Sequence, residues 1–187
     1  KWFAIDHFDV APDLLAFAKG VTSGYVPLGG VAISEEIYST FAQRPYPGGL
    51  TYSGHPLASA AAVATINAMR DESMVENAAS LGESVVAPAL ARMAERHPSI
   101  GEVRGTGMFW AIELVKNAAT REPLAPYGAS SPEMNELIGA CKSRGLLPFA
   151  NFNRIHVCPP LNVSEEDARR GLEVIDRALE VADRHAA

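Results

Sequence analysis

Between Asp13 and Thr40 the texture of the chain changes four times, and that succession restricts the fold more than any other feature. Asp13 to Ala18 is a short, mostly apolar run that halts at Lys19-Gly20. A turn rich in glycine and proline follows through Pro27, and Gly30-Val31-Ala32-Ile33 then has the β-branched character of a second buried strand. Ser34-Glu35-Glu36 supplies an N-cap and an acidic first turn for a helix reaching Thr40. Strand, lysine, loop, strand, helix is the habit of an α/β fold. Bundles and all-β sandwiches do not alternate in this way.

The rest of the chain continues the pattern. Arg44 to Pro56 gathers prolines, glycines, Thr51 and Ser53, which is loop chemistry, and His55-Pro56 opens an alanine-rich segment through Arg70. Small residues all round that segment predict a tightly buried helix. From Ser73 to His97 apolar residues recur at helical spacing, with Pro88 a kink and Pro98 beyond the end. After Pro98 a smaller α+β unit begins. Its signals are a strand over Met108 to Val115, a helix capped by Ser131 with Pro132 at its first position and Gly145 past its end, strands at Leu146 to Phe149 and Arg154 to Val157, and a last helix from Ser164 to about Arg184. The expected division is residues 1–97 and 98–187.

Composition narrows the function classes. With 48% hydrophobic and 20% charged residues the chain folds around a core, and a net charge of -6 without a lysine/arginine block argues against nucleic-acid binding. No apolar run approaches a membrane span, the opening Lys1-Trp2-Phe3-Ala4 has no signal-peptide layout, and a cytoplasmic location is expected. Cys141 and Cys158 lack zinc-ligand spacing and read as packed thiols, and five scattered histidines show no ligand pairing, so no metal is expected. No nucleophile elbow is present.

Lys19 is the first residue with chemical promise. A lysine at the end of a buried strand is desolvated, which favours a neutral, nucleophilic amine suited to Schiff-base formation. From position alone a solvated loop lysine is the commoner reading, since lysines often end strands. Gly20 to Gly30 lets backbone approach a ligand but is neither a P-loop nor a dinucleotide fingerprint. Thr51 and Ser53, beside Gly49 and Gly54 and just before a helix start, could take a phosphate or simply cap.

Taken together, Asp13 to Gly30 and Thr51-Tyr52-Ser53-Gly54-His55-Pro56-Leu57-Ala58 resemble the class III pyridoxal-phosphate-dependent aminotransferases. Within that family the chain looks most like the branch that uses ω-amino acids and amines with pyruvate or another keto acid. Arg104-Gly105-Thr106-Gly107-Met108 and Pro159-Pro160-Leu161 look like further landmarks in the right order. The resemblance implies an α/β transferase of fold type I, with residues 1–97 the C-terminal part of the large domain including the interdomain helix and 98–187 the small domain. It implies pyridoxal 5'-phosphate as cofactor, carried by Lys19, which also moves the proton. Thr51 would hold the cofactor phosphate across the interface of a homodimer with shared active sites, and Tyr25 would line the substrate entrance or merely pack in the loop.

The same resemblance marks what is missing. The family's polypeptide is far longer, and the upstream part supplies the phosphate cup, the residue stacked on the pyridine ring and the aspartate at its nitrogen. The chain therefore reads as a fragment and a poor enzyme alone, and neither Asp6 nor Asp13 takes the aspartate's place. Where α-amino-acid-handling relatives carry an arginine before Pro-Pro-Leu, the matching position is His156, although Arg154 lies on the same strand face. Aminomutase or decarboxylase chemistry, and a noncatalytic partner-binding remnant, remain the alternatives.

Overall fold

The computed structural model describes residues 1–187, which divide into two compact units, Lys1–Val75 and Glu76–Ala187.

In the first unit, β1 (Leu14–Ala18) pairs antiparallel with β2 (Gly29–Ile33) in a register running from Leu14 opposite Ile33 to Ala18 opposite Gly29. Phe17 faces Gly30, and a Cβ on that glycine would lie 2.5 Å from the ring's Cζ, so only glycine lets the ring lie across the strand. Helix α1 (Glu35–Phe41) starts where the sequence places it, and the Ser34 hydroxyl accepts the Ile37 N–H. Helix α2 (Pro56–Asp71) packs against the turn that follows β1. Two expectations fail here. The alanine-rich helix is not tightly buried, since only Ala58 and Ala62 are, and neither β1 nor β2 is a buried strand, since both hold only exposed and half-buried residues. A two-stranded ribbon offers too little apolar surface to cover them.

The second unit holds the core. Helices α3 (Met74–Leu81) and α4 (Ala87–Arg96) are joined without a break by a wide π-type turn at Gly82–Val86. The irregularity thus lies just before Pro88, whose missing N–H leaves the carbonyl four residues back, inside that turn, without its helical donor. Strands β3 (Ile100–Thr106), β4 (Phe109–Asn117), β5 (Glu122–Pro123), β6 (Phe149–Asn151) and β7 (Arg154–Val157) form an antiparallel sheet in the order β3-β4-β7-β6, with β5 on β4. Helices α5 (Pro132–Lys142) and α6 (Glu165–Asp183) pack against each other, and Leu90, Ile112, Leu114, Met134, Leu137 and Leu179 are fully buried in one cluster.

The caps that the sequence announces are formed. The Ser131 hydroxyl accepts the Met134 N–H at 3.2 Å, and that of Ser164 accepts the Asp167 N–H at 3.1 Å. At the end of α5, Gly145 takes φ +82° and the Leu146 N–H donates to the Cys141 carbonyl at 3.1 Å. That closure keeps Leu146 in the helix end, so β6 begins at Phe149 rather than Leu146. Cys141 is buried as expected, but Cys158, beyond the end of β7, is exposed and is not a packed thiol.

Candidate active site

Lys19 stands at the junction of β1 and the loop back to β2. Ala18 is still extended (φ -163°, ψ -169°), whereas Lys19 turns into the left-handed region at φ +55° and opens a 3₁₀ turn, Lys19–Thr22. For a residue with a Cβ that conformation costs roughly 1–2 kcal/mol. Ser23 (φ +51°) and Gly24 (φ +78°) continue the reversal. One side chain fastens the loop: Thr22 is only 1% exposed and its hydroxyl donates to the Val26 carbonyl at 2.6 Å, with the Lys19 carbonyl 3.5 Å away. Backbone bonds from Ser23 to Gly20 and from Tyr25 to Thr22 close the same turn. The Lys19 side chain is exposed and makes no ion pair, in contrast to the desolvated lysine expected from a buried strand end. Tyr25, 85% exposed, projects from this loop without packing in it.

Thr51 lies in a second turn, where the Ser53 N–H donates to Leu50 and the His55 N–H to Tyr52, and the Tyr52 and His55 rings stack at 5.6 Å. Gly54 takes φ +67° to deliver the chain into α2. Thr51 and Ser53 are exposed, and no side chain caps α2, whose residue before the first turn is His55. Open N–H groups at a helix start, with two hydroxyls in the preceding turn, make a surface suited to a phosphate. An amine-bearing side chain without a counter-ion suits an aldehyde cofactor.

Arg154 and His156 share the face of β7 opposite Ile155 and Val157, which are buried. His156 pairs with Ala111 on β4 and Phe149 on β6, and its ring lies 6.4 Å from that of Phe109 and 5.1 Å from that of Phe149. Partial burial, then the positive charges of Arg154 and Arg104, lower its pKa below the usual histidine value. Neutral imidazole is a hydrogen-bonding group and not a cationic anchor. Arg154 lies over the Phe152 ring at 5.9 Å and makes no ion pair, while neighbouring Arg104 is engaged by Glu113 at 3.0 Å and Glu102 at 3.3 Å.

A family model for class-III aminotransferases matches residues 1–179. This chain belongs to the class-III aminotransferases. A taurine–pyruvate aminotransferase from Bilophila wadsworthia is 35% identical over 192 residues, covering 96% of this chain and 41% of that protein. A putrescine–pyruvate aminotransferase from Pseudomonas aeruginosa is 36% identical over 191 residues, covering 100% of this chain and 40% of that protein. Among solved structures, a taurine:2-oxoglutarate aminotransferase from Bifidobacterium kashiwanohense, in complex with PLP and glutamate, superposes with a TM-score of 0.90 at 38% identity, over 100% of this chain and 42% of that one. The fold is therefore part of the type I pyridoxal-phosphate-dependent transferase fold, and pyridoxal phosphate is the cofactor of the family. The chain spans about two fifths of the length of these relatives. No helix is long and apolar enough to cross a membrane.

Of the residues expected from the sequence, Lys19, Tyr25 and Thr51 lie in the first unit and Arg154 and His156 in the second. Thr22 is not among them, although a hydroxyl three residues after a lysine in a glycine loop is a readable sign of a side chain able to cross-link the turn.

Proposed function

We propose that the protein to which this chain belongs transfers an amino group from an amine or ω-amino acid to a keto acid such as pyruvate. Pyridoxal phosphate, when bound, supplies an electron sink for the bonding pair left on the substrate carbon. Lys19 holds that cofactor through its amine and, once a substrate amine takes its place, carries a proton on Nζ away from and back to carbon. The observation that carries the reading is Lys19 itself, an unpaired amine presented on a turn that its own backbone disfavours.

The remaining residues bind and orient. The Thr51 hydroxyl and the open start of α2 hold the phosphate, in a homodimer whose subunits share their sites, and Tyr25 borders the substrate entrance. Residues 1–97 serve as the C-terminal part of the cofactor-binding domain and 98–187 as the small domain. With His156 neutral and neighbouring Arg104 engaged by Glu113 and Glu102, neither serves as a fixed anchor for an α-carboxylate, so donors with a distant or absent carboxylate are favoured. Arg154, free of any ion pair, is the residue able to meet the keto acid's carboxylate. The pyruvate-dependent relatives, whose names give taurine and putrescine as donors, support this choice.

A donor panel tests it. The full-length enzyme is given pyruvate with an ω-amino acid, a simple amine or an α-amino acid, and kcat/KM is read from alanine formed. Higher values for the first two support the reading, and a clear preference for the α-amino acid contradicts it. Carbon dioxide or an isomerised amine without alanine would mark a decarboxylase or aminomutase instead.

A further inference from the structure

The ten residues from Lys19 to Leu28 leave β1 and return to β2 across the Ala18–Gly29 pair, and within them one polar side chain is buried. Thr22 grips the loop at two points of its own: the hydroxyl donates to the Val26 carbonyl at 2.6 Å, and its carbonyl accepts the Tyr25 N–H at 3.1 Å. The Lys19 carbonyl lies 3.5 Å from the same hydroxyl, at the limit of a hydrogen bond, so Lys19 and Val26 converge on one oxygen atom. Helix α2 packs against this turn, in which Thr22 alone is buried. Lys19 keeps a backbone conformation that a residue with a Cβ would otherwise leave.

We propose that Thr22 is a positioning residue for Lys19: by tying the Val26 carbonyl beside that of Lys19, its buried hydroxyl holds the lysine left-handed and thereby fixes where the amine is presented. This rests on Lys19 being the residue that binds pyridoxal phosphate. A valine at this position keeps the shape of the side chain and removes the hydrogen bond, leaving the loop free to relax and the amine to wander from its productive position. A displacement on the scale of an ångström is enough to slow a reaction about 100-fold.

The test uses the full-length protein, stripped of cofactor and then mixed with pyridoxal phosphate, with the rate of lysine–cofactor bond formation followed by absorbance and the attachment site mapped after borohydride reduction. In Thr22→Val the label should still map to Lys19 while the rate falls about 10- to 100-fold, and Thr22→Ser should restore most of it. Unchanged rate in Thr22→Val, or equal loss in Thr22→Ser and Thr22→Val, overturns the proposal while leaving Lys19 as the attachment site. If Thr22→Val does not fold, the pair Thr22→Ser and Thr22→Ala carries the comparison: a rate kept in serine and lost in alanine supports the proposal, and equal rates overturn it. Label on another lysine in the unaltered protein overturns the assignment of Lys19 and the proposal with it.

Discussion

Gly82 rests directly on the backbone of Gly107: a Cβ on Gly82 would stand 2.5 Å from the Gly107 carbonyl oxygen and 2.6 Å from its Cα. The contact joins the wide turn between α3 and α4 to the tight turn between β3 and β4, where Gly107 itself takes φ +53°. Arg104-Gly105-Thr106-Gly107 is thus a packing motif. Trp110 completes it, its indole N–H donating to the Gly107 carbonyl at 2.8 Å.

Replacing Gly82 with alanine should therefore force backbone apart. Overpacking of this kind costs about 1–3 kcal/mol, which for a chain of this size lowers Tm by roughly 2–4 °C per kcal/mol. Thermal unfolding of Gly82→Ala beside the control Gly139→Ala, at an exposed helical glycine with open space around it, checks it. A Gly82→Ala variant as stable as the parent contradicts the contact.

Acid should loosen the second unit through Glu133. In the first turn of α5 its carboxyl is held at a pKa of about 2, against an ordinary 4.5, chiefly by its own backbone N–H, then by Lys116 at 3.0 Å and the Ser131 hydroxyl. Oε2 is buried, and a place in the first turn of α5 also favours the charged carboxylate. The folded pKa is depressed, so the stabilisation is complete above pH 4.5 and is lost as pH falls from 4.5 toward about 2. Urea unfolding across that window should show a smaller loss in Glu133→Gln than in the parent. Equal losses contradict the assignment.

Thr51→Ala should weaken cofactor retention in the full-length enzyme by about one hydrogen bond to a charged group, roughly 1.5–3 kcal/mol, while the dimer persists. Equilibrium titration with pyridoxal phosphate measures it, and an unchanged affinity removes Thr51 from the phosphate site.

Elements with strong local signals were legible in the sequence. Ser34, Ser131 and Ser164 cap helices as read, and β7 begins and ends at Arg154 and Val157. What stayed hidden depends on distant partners. The burial of α2 could not be judged from its alanines, because small residues pack closely only where another surface meets them. The exposure of Lys19 has the same origin, since an apolar run such as Leu14–Ala18 is buried only if something covers it. His97, 4% exposed, sets Nδ1 2.6 Å from Oδ2 of Asp183, an aspartate that also accepts the Ser99 hydroxyl at 2.6 Å. Partners so far apart in sequence leave no periodic trace.

Lys19 is one of four lysines in the chain. Borohydride reduction of the full-length protein loaded with pyridoxal phosphate, followed by peptide mapping, should place the cofactor label on the peptide containing Lys19, and Lys19→Ala should lose it. Label on Lys1, Lys116, Lys142 or a lysine outside this chain would contradict the account.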